Sequence, residues 1–281
     1  MNVNLLPQTP VIKEWLQHAA GILDSIGITS ARLDAEIILA HSLRKPRTYL
    51  HAHGEDTLQA REYEVAEARL QLRIDRVPIA YIIGHKDFYG RQFQVTTATL
   101  IPRPESEVMI ELLGEIITRS TQHTYKTVVD VGTGSGCLGI TVKLEHPELS
   151  VTLLDISNYA LQIARLNATK LKAQVDIIRS DLLKQYVLPS DIILANLPYV
   201  DTSWDVSPET RHEPSLALFA DKNGRGLIEK LIVQAATEQP LHGLLLLEAD
   251  PWQHSAIIEF AMSYRYHHIE SRDYIIALTK D

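Results

Sequence analysis

Apolar side chains recur at helical spacing along three segments of the first 75 or so residues. The first segment is expected to begin at Thr9-Pro10, a capping threonine followed by a first-turn proline, and to end at Gly27. Ser30 is the expected cap of a second helix, and a third begins at about Thr57. Each helix carries an apolar face that must be buried against a neighbour, which predicts a small helical bundle.

The pattern changes between about residues 80 and 100. Phe88 and Phe93 flank the turn-forming Tyr89-Gly90-Arg91, which predicts a hairpin that links two domains. The following sequence PRPESE, residues 102–107, places proline and acidic side chains where a helix begins. We therefore predict a helical domain over residues 1–78, a hairpin linker over residues 79–100 and a larger domain over residues 101–281.

Short apolar runs alternate with helical segments from about residue 126 onwards. This alternation predicts an α/β fold with a mostly parallel sheet that is covered on both faces, and residues 264–279 read as a closing pair of strands. In such sheets ligands bind beyond the carboxyl ends of the strands. The predicted strands are Thr127–Val131, Val151–Leu154, Val175–Ile178, Ile192–Ala195 and Leu244–Leu247.

Charge and cysteine content narrow the class of protein. The formal net charge is -8, and the charges are interspersed, which weakens the case for a nucleic-acid partner. Cys137 is the single cysteine, so an intrachain disulfide and a multi-cysteine zinc site are excluded. The twelve histidines have no metal-binding spacing, and neither a signal peptide nor a membrane span is visible. We expect a monomeric cytoplasmic protein without a metal.

A glycine-rich turn follows the first strand, in the sequence DVGTGSG over residues 130–136. Glycines let a ligand approach the backbone, and the helix that follows offers unpaired N–H groups to an anion. A tight turn without a ligand and the dinucleotide pattern over Gly134–Gly139 are alternative interpretations, the latter for a nicotinamide-dependent enzyme. The predicted cofactor residues here are Gly132, Thr133, Gly134, Ser135 and Gly136.

Acidic residues stand at the ends of the next two strands. Asp155 lies 19 residues beyond Gly136, where a carboxylate can accept hydrogen bonds from both ribose hydroxyls of a nucleoside. Asp155 could instead cap a helix, with Ser157 as the other candidate cap. After the third strand, Asp181 could accept from an adenine amino group and Leu182 could pack on its ring, although aspartate is also common in turns.

The fourth strand runs directly into Asn196-Leu197-Pro198-Tyr199, which we predict to be the catalytic and substrate-binding tetrad. Asn196 is also predicted to contact the cofactor. The Asn196 side chain and the Leu197 carbonyl provide two acceptors, and Pro198 favours an extended Leu197. Tyr199 could stack on a flat amide or base. Two acceptors aimed at one NH2 group hold its nitrogen toward a methyl donor, and orientation supplies much of the help that a delocalised amide nitrogen requires.

Taken together, these residues resemble the release-factor glutamine methyltransferases, the PrmC (HemK) family. The glycine turn is common to all class I methyltransferases, whereas the helical region and the segment Ile101–Glu107 are more specific. The similarity also includes Arg76-Val77-Pro78, Glu213-Pro214 and Ala217-Leu218. It implies a seven-stranded methyltransferase domain and a helical domain that helps to dock the substrate.

The resemblance further implies S-adenosylmethionine across Gly132–Gly136, with Asp155 on its ribose and Leu182 beside its adenine. The implied substrate is the glutamine of the Gly-Gly-Gln motif in class 1 peptide chain release factors, held by Asn196 and the Leu197 carbonyl. No stable nucleic-acid complex is expected.

Leu197 departs from the family, which usually has Asn-Pro-Pro-Tyr at this point. Asn-Leu-Pro-Tyr resembles the adenine dimethyltransferases that act on ribosomal RNA. Methylation of adenine in RNA or DNA, or of a glutamine in a ribosomal protein, therefore remains the alternative. Arg103 and Glu105 have two open interpretations, as residues at the mouth of the site or as the start of a helix.

Overall fold

Two compact units make up the computed structural model, which describes residues 10–121, 123–238 and 243–280. The first unit contains the described residues up to Gly84 together with Ser207–His212. The second contains His85–Val206 and the described residues from Glu213 onwards.

The first unit is helical. Its helices are α1 (Ile12–Ser25), α2 (Ala31–Leu43), α3 (Arg47–Ala52), α4 (Ala60–Ile74) and α5 (Ile79–Ile83), and a 3-10 helix over Pro208–His212 belongs to it. The predicted helical stripes form its core, where Trp15 and Leu39 are fully buried. Arg73 and Asp34 form a buried ion pair at 2.7 Å, and Arg73 and Arg76 both bind Glu209.

Three predicted helix starts in this unit differ in detail. Val11 is the N-cap of α1, so Pro10 precedes the helix instead of opening it, and Thr9 lies outside the described residues. Ser30 occupies the N-cap position of α2 but makes no capping side-chain hydrogen bond. The predicted start of α4 at Thr57 was wrong by three residues, because the Glu62 carboxylate accepts from the backbone N–H of Gln59 at 3.0 Å and sets the start at Ala60.

The hairpin is shorter than the predicted linker and belongs to the second unit. Its strands are β1 (His85–Phe88) and β2 (Arg91–Gln94), paired antiparallel, whereas residues 79–83 form α5. The buried Asn167 exchanges two hydrogen bonds with the backbone of Gln94 and donates a third to the Ser135 carbonyl, at 2.7, 3.0 and 2.8 Å. This side chain therefore ties the hairpin to the glycine-rich turn.

A seven-stranded sheet in the order β5-β4-β3-β6-β7-β9-β8 forms the centre of the second unit. Neighbouring pairs from β5 to β7 are parallel, and β9 pairs antiparallel with β7 and β8. The α/β fold class predicted from the sequence is confirmed. The strands are β3 (Thr127–Val131), β4 (Ser150–Asp155), β5 (Asp176–Arg179), β6 (Ile192–Ala195), β7 (Leu244–Glu248), β8 (Tyr266–Arg272) and β9 (Ile275–Lys280).

Helices cover both faces of this sheet. Leu244 and Leu246 pack in one core cluster and Leu245 and Leu247 in another, which explains why the strands are apolar throughout. The first cluster includes residues of α6, α7 and α8, and the second includes residues of α9 and α10. These helices are α6 (Glu107–Arg119), α7 (Cys137–Glu145), α8 (Asn158–Leu171), α9 (Gly226–Glu238) and α10 (His254–Met262), with 3-10 turns over Pro104–Ser106, Ser215–Ala217 and Pro251–Gln253.

Because β3, β4, β6 and β7 are parallel, the residues that follow them meet at one edge of the sheet. No helix in the described part of the chain is both long and apolar enough to cross a membrane.

Candidate active site

A cavity of about 200 Å³ opens at the carboxyl edge of the parallel strands, within the second unit. It is lined by all the residues predicted for the cofactor and the substrate except Gly136 and Tyr199. Residues of the segment 98–103 and of the segment 214–217 complete its wall. The fold thus brings the strand-end residues together around one concave site.

The glycine-rich turn connects β3 to α7 along this cavity. The backbone N–H groups of Gly132 and Thr133 both donate to the Leu154 carbonyl at 2.9 Å, which joins the turn to β4. Gly134 has a φ of 55° and no heavy atom within 4 Å of the place where a Cβ would lie. The turn therefore presents bare backbone to open space, as the close approach of a ligand requires.

The Asp130 side chain, which was not among the residues predicted for the site, hydrogen-bonds to this turn and to the helix that follows it. Its Oδ2 accepts from Thr133 Oγ1 at 2.5 Å and from the Gly139 backbone N–H at 2.9 Å. Burial raises the pKa of the Asp130 carboxyl to about 6. An acidic residue inside the otherwise apolar strand β3 was the available sequence signal.

Asp155 lines the cavity at the end of β4 and also organises its surroundings. Oδ2 accepts from the Gly134 N–H at 2.9 Å, and Oδ1 accepts from the Ser157 N–H at 2.8 Å. Burial raises the pKa of this carboxyl. The helix cap itself is Ser157, whose hydroxyl accepts from the Ala160 N–H at 3.2 Å. Each carboxylate oxygen has a second lone pair, so hydroxyl donors could still be accepted.

Asp181 and Leu182 line the cavity beyond β5. Asp181 forms an ion pair with Lys184, and its side chain remains 44% exposed. Leu182 is buried, with a left-handed φ of 54°. Non-glycine residues adopt this conformation at a cost and are enriched at ligand sites, so the strain marks this turn as a candidate contact.

The predicted tetrad lies directly after β6. Asn196, Leu197 and Pro198 line the cavity. The Asn196 side-chain NH2 group donates to Ser106 Oγ at 3.0 Å. The amide oxygen of Asn196 is therefore not the atom that binds Ser106. Tyr199 lies outside the cavity wall, and its hydroxyl donates to Glu248 Oε1 at 3.1 Å.

Ser106 and Glu248 are polar, buried and absent from the sequence-based site. Ser106 precedes α6 and Glu248 ends β7, and both side chains are nearly inaccessible to solvent. The signal for Glu248 was present, because an acid follows four leucines at the end of a predicted strand. Like Asp155, Glu248 is an acidic residue at the carboxyl end of a predicted strand.

Arg103 lines the cavity, whereas Glu105 lies exposed in the 3-10 turn before α6. Arg103 is paired with the buried Glu213, which also accepts from the Ile101 backbone N–H at 3.1 Å. Glu213 thus fixes the segment that forms one wall of the cavity. Among the described residues no group of histidine, cysteine or acidic side chains could hold a metal ion.

Two family models match the chain: the PrmC N-terminal domain over residues 14–84, and the methyltransferase small domain over residues 106–213. The release factor glutamine methyltransferase of Koribacter versatilis is 38% identical, with 85% of this chain and 88% of the relative aligned. The protein of the same name from Staphylococcus aureus is 37% identical, over 78% and 79% of the two chains.

The fold is also similar to that of the hMettl16 catalytic domain, with a TM-score of 0.52 and 14% identity over 76% of this chain and 81% of that one. The sheet, the glycine turn and the strand-end cavity define a class I methyltransferase that uses S-adenosylmethionine. The sequence similarity is more specific than the fold. The chain belongs to the release factor glutamine methyltransferase family.

Proposed function

We propose that this enzyme methylates the side-chain amide nitrogen of the glutamine in the Gly-Gly-Gln motif of class 1 peptide chain release factors. The observation that carries the proposal is the orientation of Asn196. Its NH2 end is bound to Ser106, so its acceptor oxygen is the end left for a substrate NH2 group. The names of the relatives in the family support the release factor as the protein substrate.

Asn196 and the Leu197 carbonyl would act as a pair of acceptors for the two N–H groups of the substrate amide. An amide nitrogen is a poor nucleophile because its lone pair is delocalised into the carbonyl group. Two fixed acceptors place that nitrogen and favour the positive charge that develops on it. Tyr199, which the sequence suggested as a stacking partner, is not part of the cavity wall and donates its hydroxyl to Glu248 behind it.

The donor S-adenosylmethionine supplies an electrophilic methyl group on a sulfonium sulfur. We assign its binding to residues of the cavity wall: the turn Gly132–Gly136 along the methionine portion, Asp155 on the ribose hydroxyls, and Asp181 with Leu182 on the adenine. The bare backbone at Gly134 and the remaining lone pairs of Asp155 fit this ligand. Transfer would form the N–C bond as the S–C bond of the donor breaks, and the amide nitrogen would lose one of its protons.

We also propose that the enzyme is a cytoplasmic monomer that forms no stable complex with nucleic acid. The interspersed charges with a net value of -8 favour a protein substrate over a polyanion. Release factors act in the compartment where ribosomes translate, and the single cysteine is compatible with a reducing environment.

The decisive test is transfer of a radiolabelled methyl group in separate reactions with a release factor, naked ribosomal RNA and ribosomal proteins. We expect label on the release factor, at the motif glutamine when the product is mapped by mass spectrometry. A release factor with that glutamine replaced by alanine is the matched control and should remain unlabelled. Label on RNA or on a ribosomal protein instead would reject the proposed substrate.

The proposed role of Asn196 is tested by Asn196→Ala. We expect transfer to be lost while S-adenosylmethionine binding, measured by calorimetry, largely survives. Turnover at the normal rate by this variant would remove Asn196 from the mechanism.

A further inference from the structure

Glu248 is a buried carboxylate that lies behind the tetrad and takes no part in the function proposed above. It is 1% exposed, at the last position of β7. One oxygen accepts from Ser106 Oγ at 2.5 Å, and the other accepts from the Tyr199 hydroxyl at 3.1 Å. The Asn196 side chain also hydrogen-bonds directly to this carboxyl group. A carboxylate that receives two hydroxyl donors in a buried place is an organised group.

The chemistry of these groups fixes the direction of the hydrogen bonds. The Ser106 hydroxyl donates to Glu248, so its single proton is used in that hydrogen bond. The lone pairs of Ser106 then face Asn196, which can satisfy them only with its NH2 end, at 3.0 Å. The amide oxygen of Asn196 is thereby turned away from Ser106 and toward the substrate side.

We propose that Ser106 and Glu248 are positioning residues that select the acceptor-outward orientation of Asn196. An asparagine amide can rotate by 180° at little steric cost, and the reversed form would present a donor to the substrate NH2 group. Because two NH2 groups that both donate cannot form a hydrogen bond, the substrate nitrogen would not be held in position for the transfer. This inference rests on the proposed transfer to a nitrogen that carries hydrogen atoms.

The first test compares Ser106→Ala and Glu248→Gln with the wild type in steady-state assays on the release factor. Because Asn196 would lose its fixed orientation, we expect kcat to fall by up to about 100-fold with little change in KM or in S-adenosylmethionine affinity. Glu248→Gln preserves the shape of the side chain but replaces one acceptor oxygen with an NH2 group. When this NH2 group donates to Ser106, the Ser106 hydroxyl is free to donate to the Asn196 oxygen, so the reversed orientation of Asn196 becomes possible. Ser106→Thr retains the hydroxyl and should restore most of the activity.

Matched controls are Ser190→Ala and Glu229→Gln. Ser190 is a buried serine whose hydroxyl donates to the Ile192 carbonyl at 2.9 Å, and Glu229 is a largely buried carboxylate bound to Lys222 at 2.9 Å. Neither lines the cavity. Both controls should keep normal kcat values, so a fall confined to the Ser106 and Glu248 variants reports on the chain to Asn196.

The double variant separates positioning from general damage. If both residues act through the one orientation of Asn196, the double variant should lose about as much kcat as either single variant. The inference would be wrong if the fall in kcat of the double variant equalled the product of the two single falls. It would also be wrong if the single variants had the kcat of the controls.

A readout independent of turnover is the side-chain NH2 resonance of Asn196, assigned by its absence in Asn196→Ala. We expect slow solvent exchange of this group in the wild type and faster exchange in Ser106→Ala and Glu248→Gln. Unchanged exchange would reject the inference even if the release factor is the substrate. If the wild-type enzyme labels a different substrate, the proposed function is wrong but the inference about the orientation of Asn196 is not.

Discussion

Gly132 and Leu197 are in direct contact: a Cβ on Gly132 would lie 2.8 Å from Leu197 Cδ2. The turn assigned to the cofactor and the segment assigned to the substrate are therefore packed against each other. Leu197 is 4% exposed, so its side chain is held in the core while its backbone lies at the cavity. This contact fixes the separation between the two halves of the site.

The contact predicts different outcomes for two alanine substitutions in the same turn. Gly132 and Gly134 both have positive φ, 74° and 55°, so either alanine should cost about 1–2 kcal/mol of backbone strain. Gly132→Ala adds a clash with Leu197 and should lower the melting temperature more. Gly134→Ala places a methyl group in the cavity and should weaken S-adenosylmethionine binding at least about tenfold, or about 1.4 kcal/mol.

Thermal denaturation and calorimetric titration of both variants check this prediction. Equal melting temperatures for the two variants would show that the side chain of Leu197 yields freely. Unchanged cofactor affinity in Gly134→Ala would argue against ligand contact at this turn.

Leu197→Pro restores the residue that the family usually has in the tetrad. If only the backbone carbonyl at this position contacts the substrate, kcat on the release factor should change by no more than about threefold, a difference of about 0.65 kcal/mol. The loss of leucine packing against Gly132 should lower the free energy of unfolding by about 1–2 kcal/mol. Steady-state kinetics and urea denaturation measure the two effects. A large fall in kcat with unchanged stability would mean that the leucine side chain itself serves the reaction.

Asp130→Asn is expected to change the pH dependence of stability. The pKa of Asp130 is raised from 3.8 to about 6 by burial, so the folded protein favours the protonated form. The stabilisation is complete below about pH 4 and is lost as the pH rises through about 6, a change of about 3 kcal/mol. The asparagine variant does not titrate there.

Urea denaturation of both proteins between pH 4 and 7 tests the prediction for Asp130. The free energy of unfolding of the wild type, relative to that of the variant, should fall across this range and be constant above it. Glu248 also has a pKa raised by burial, but it is present in both proteins and cancels in the difference. Asp155 interacts electrostatically with Asp130, so the difference reports the titration of this pair. A difference that does not depend on pH would contradict the assigned titration.

The parallel sheet could be predicted from the sequence because most of its strands are short apolar runs that alternate with helices. Asp155 and Asn196 are polar residues at the ends of predicted apolar strands, so they could be selected from their positions in the sequence. The partners of those residues could not, since Ser106 and Asn196 are 90 positions apart and meet only when the chain before α6 reaches β6. The start of α1 was misjudged because Thr9-Pro10 is a strong local signal, whereas the fold begins the helix at Ile12.

Glu213 holds one wall of the cavity in place through two hydrogen bonds. It is 7% exposed and binds both Arg103 and the Ile101 backbone N–H. In Glu213→Gln the amide can accept from only one of these donors, and its NH2 group faces the other. We expect the free energy of unfolding to fall by about 1–3 kcal/mol, the cost of an unsatisfied buried donor. The freed segment should also raise KM for the release factor.

Glu229→Gln is the control for Glu213→Gln, since it removes a buried charge away from the cavity. Because Glu213 holds the wall and not the reacting atoms, the KM for the release factor should rise more than kcat falls. Stopped-flow binding of S-adenosylmethionine locates the effect: unchanged cofactor kinetics with a raised KM assigns the Ile101–Arg103 wall to the substrate. A raised cofactor dissociation rate with a normal KM assigns that wall to the cofactor instead.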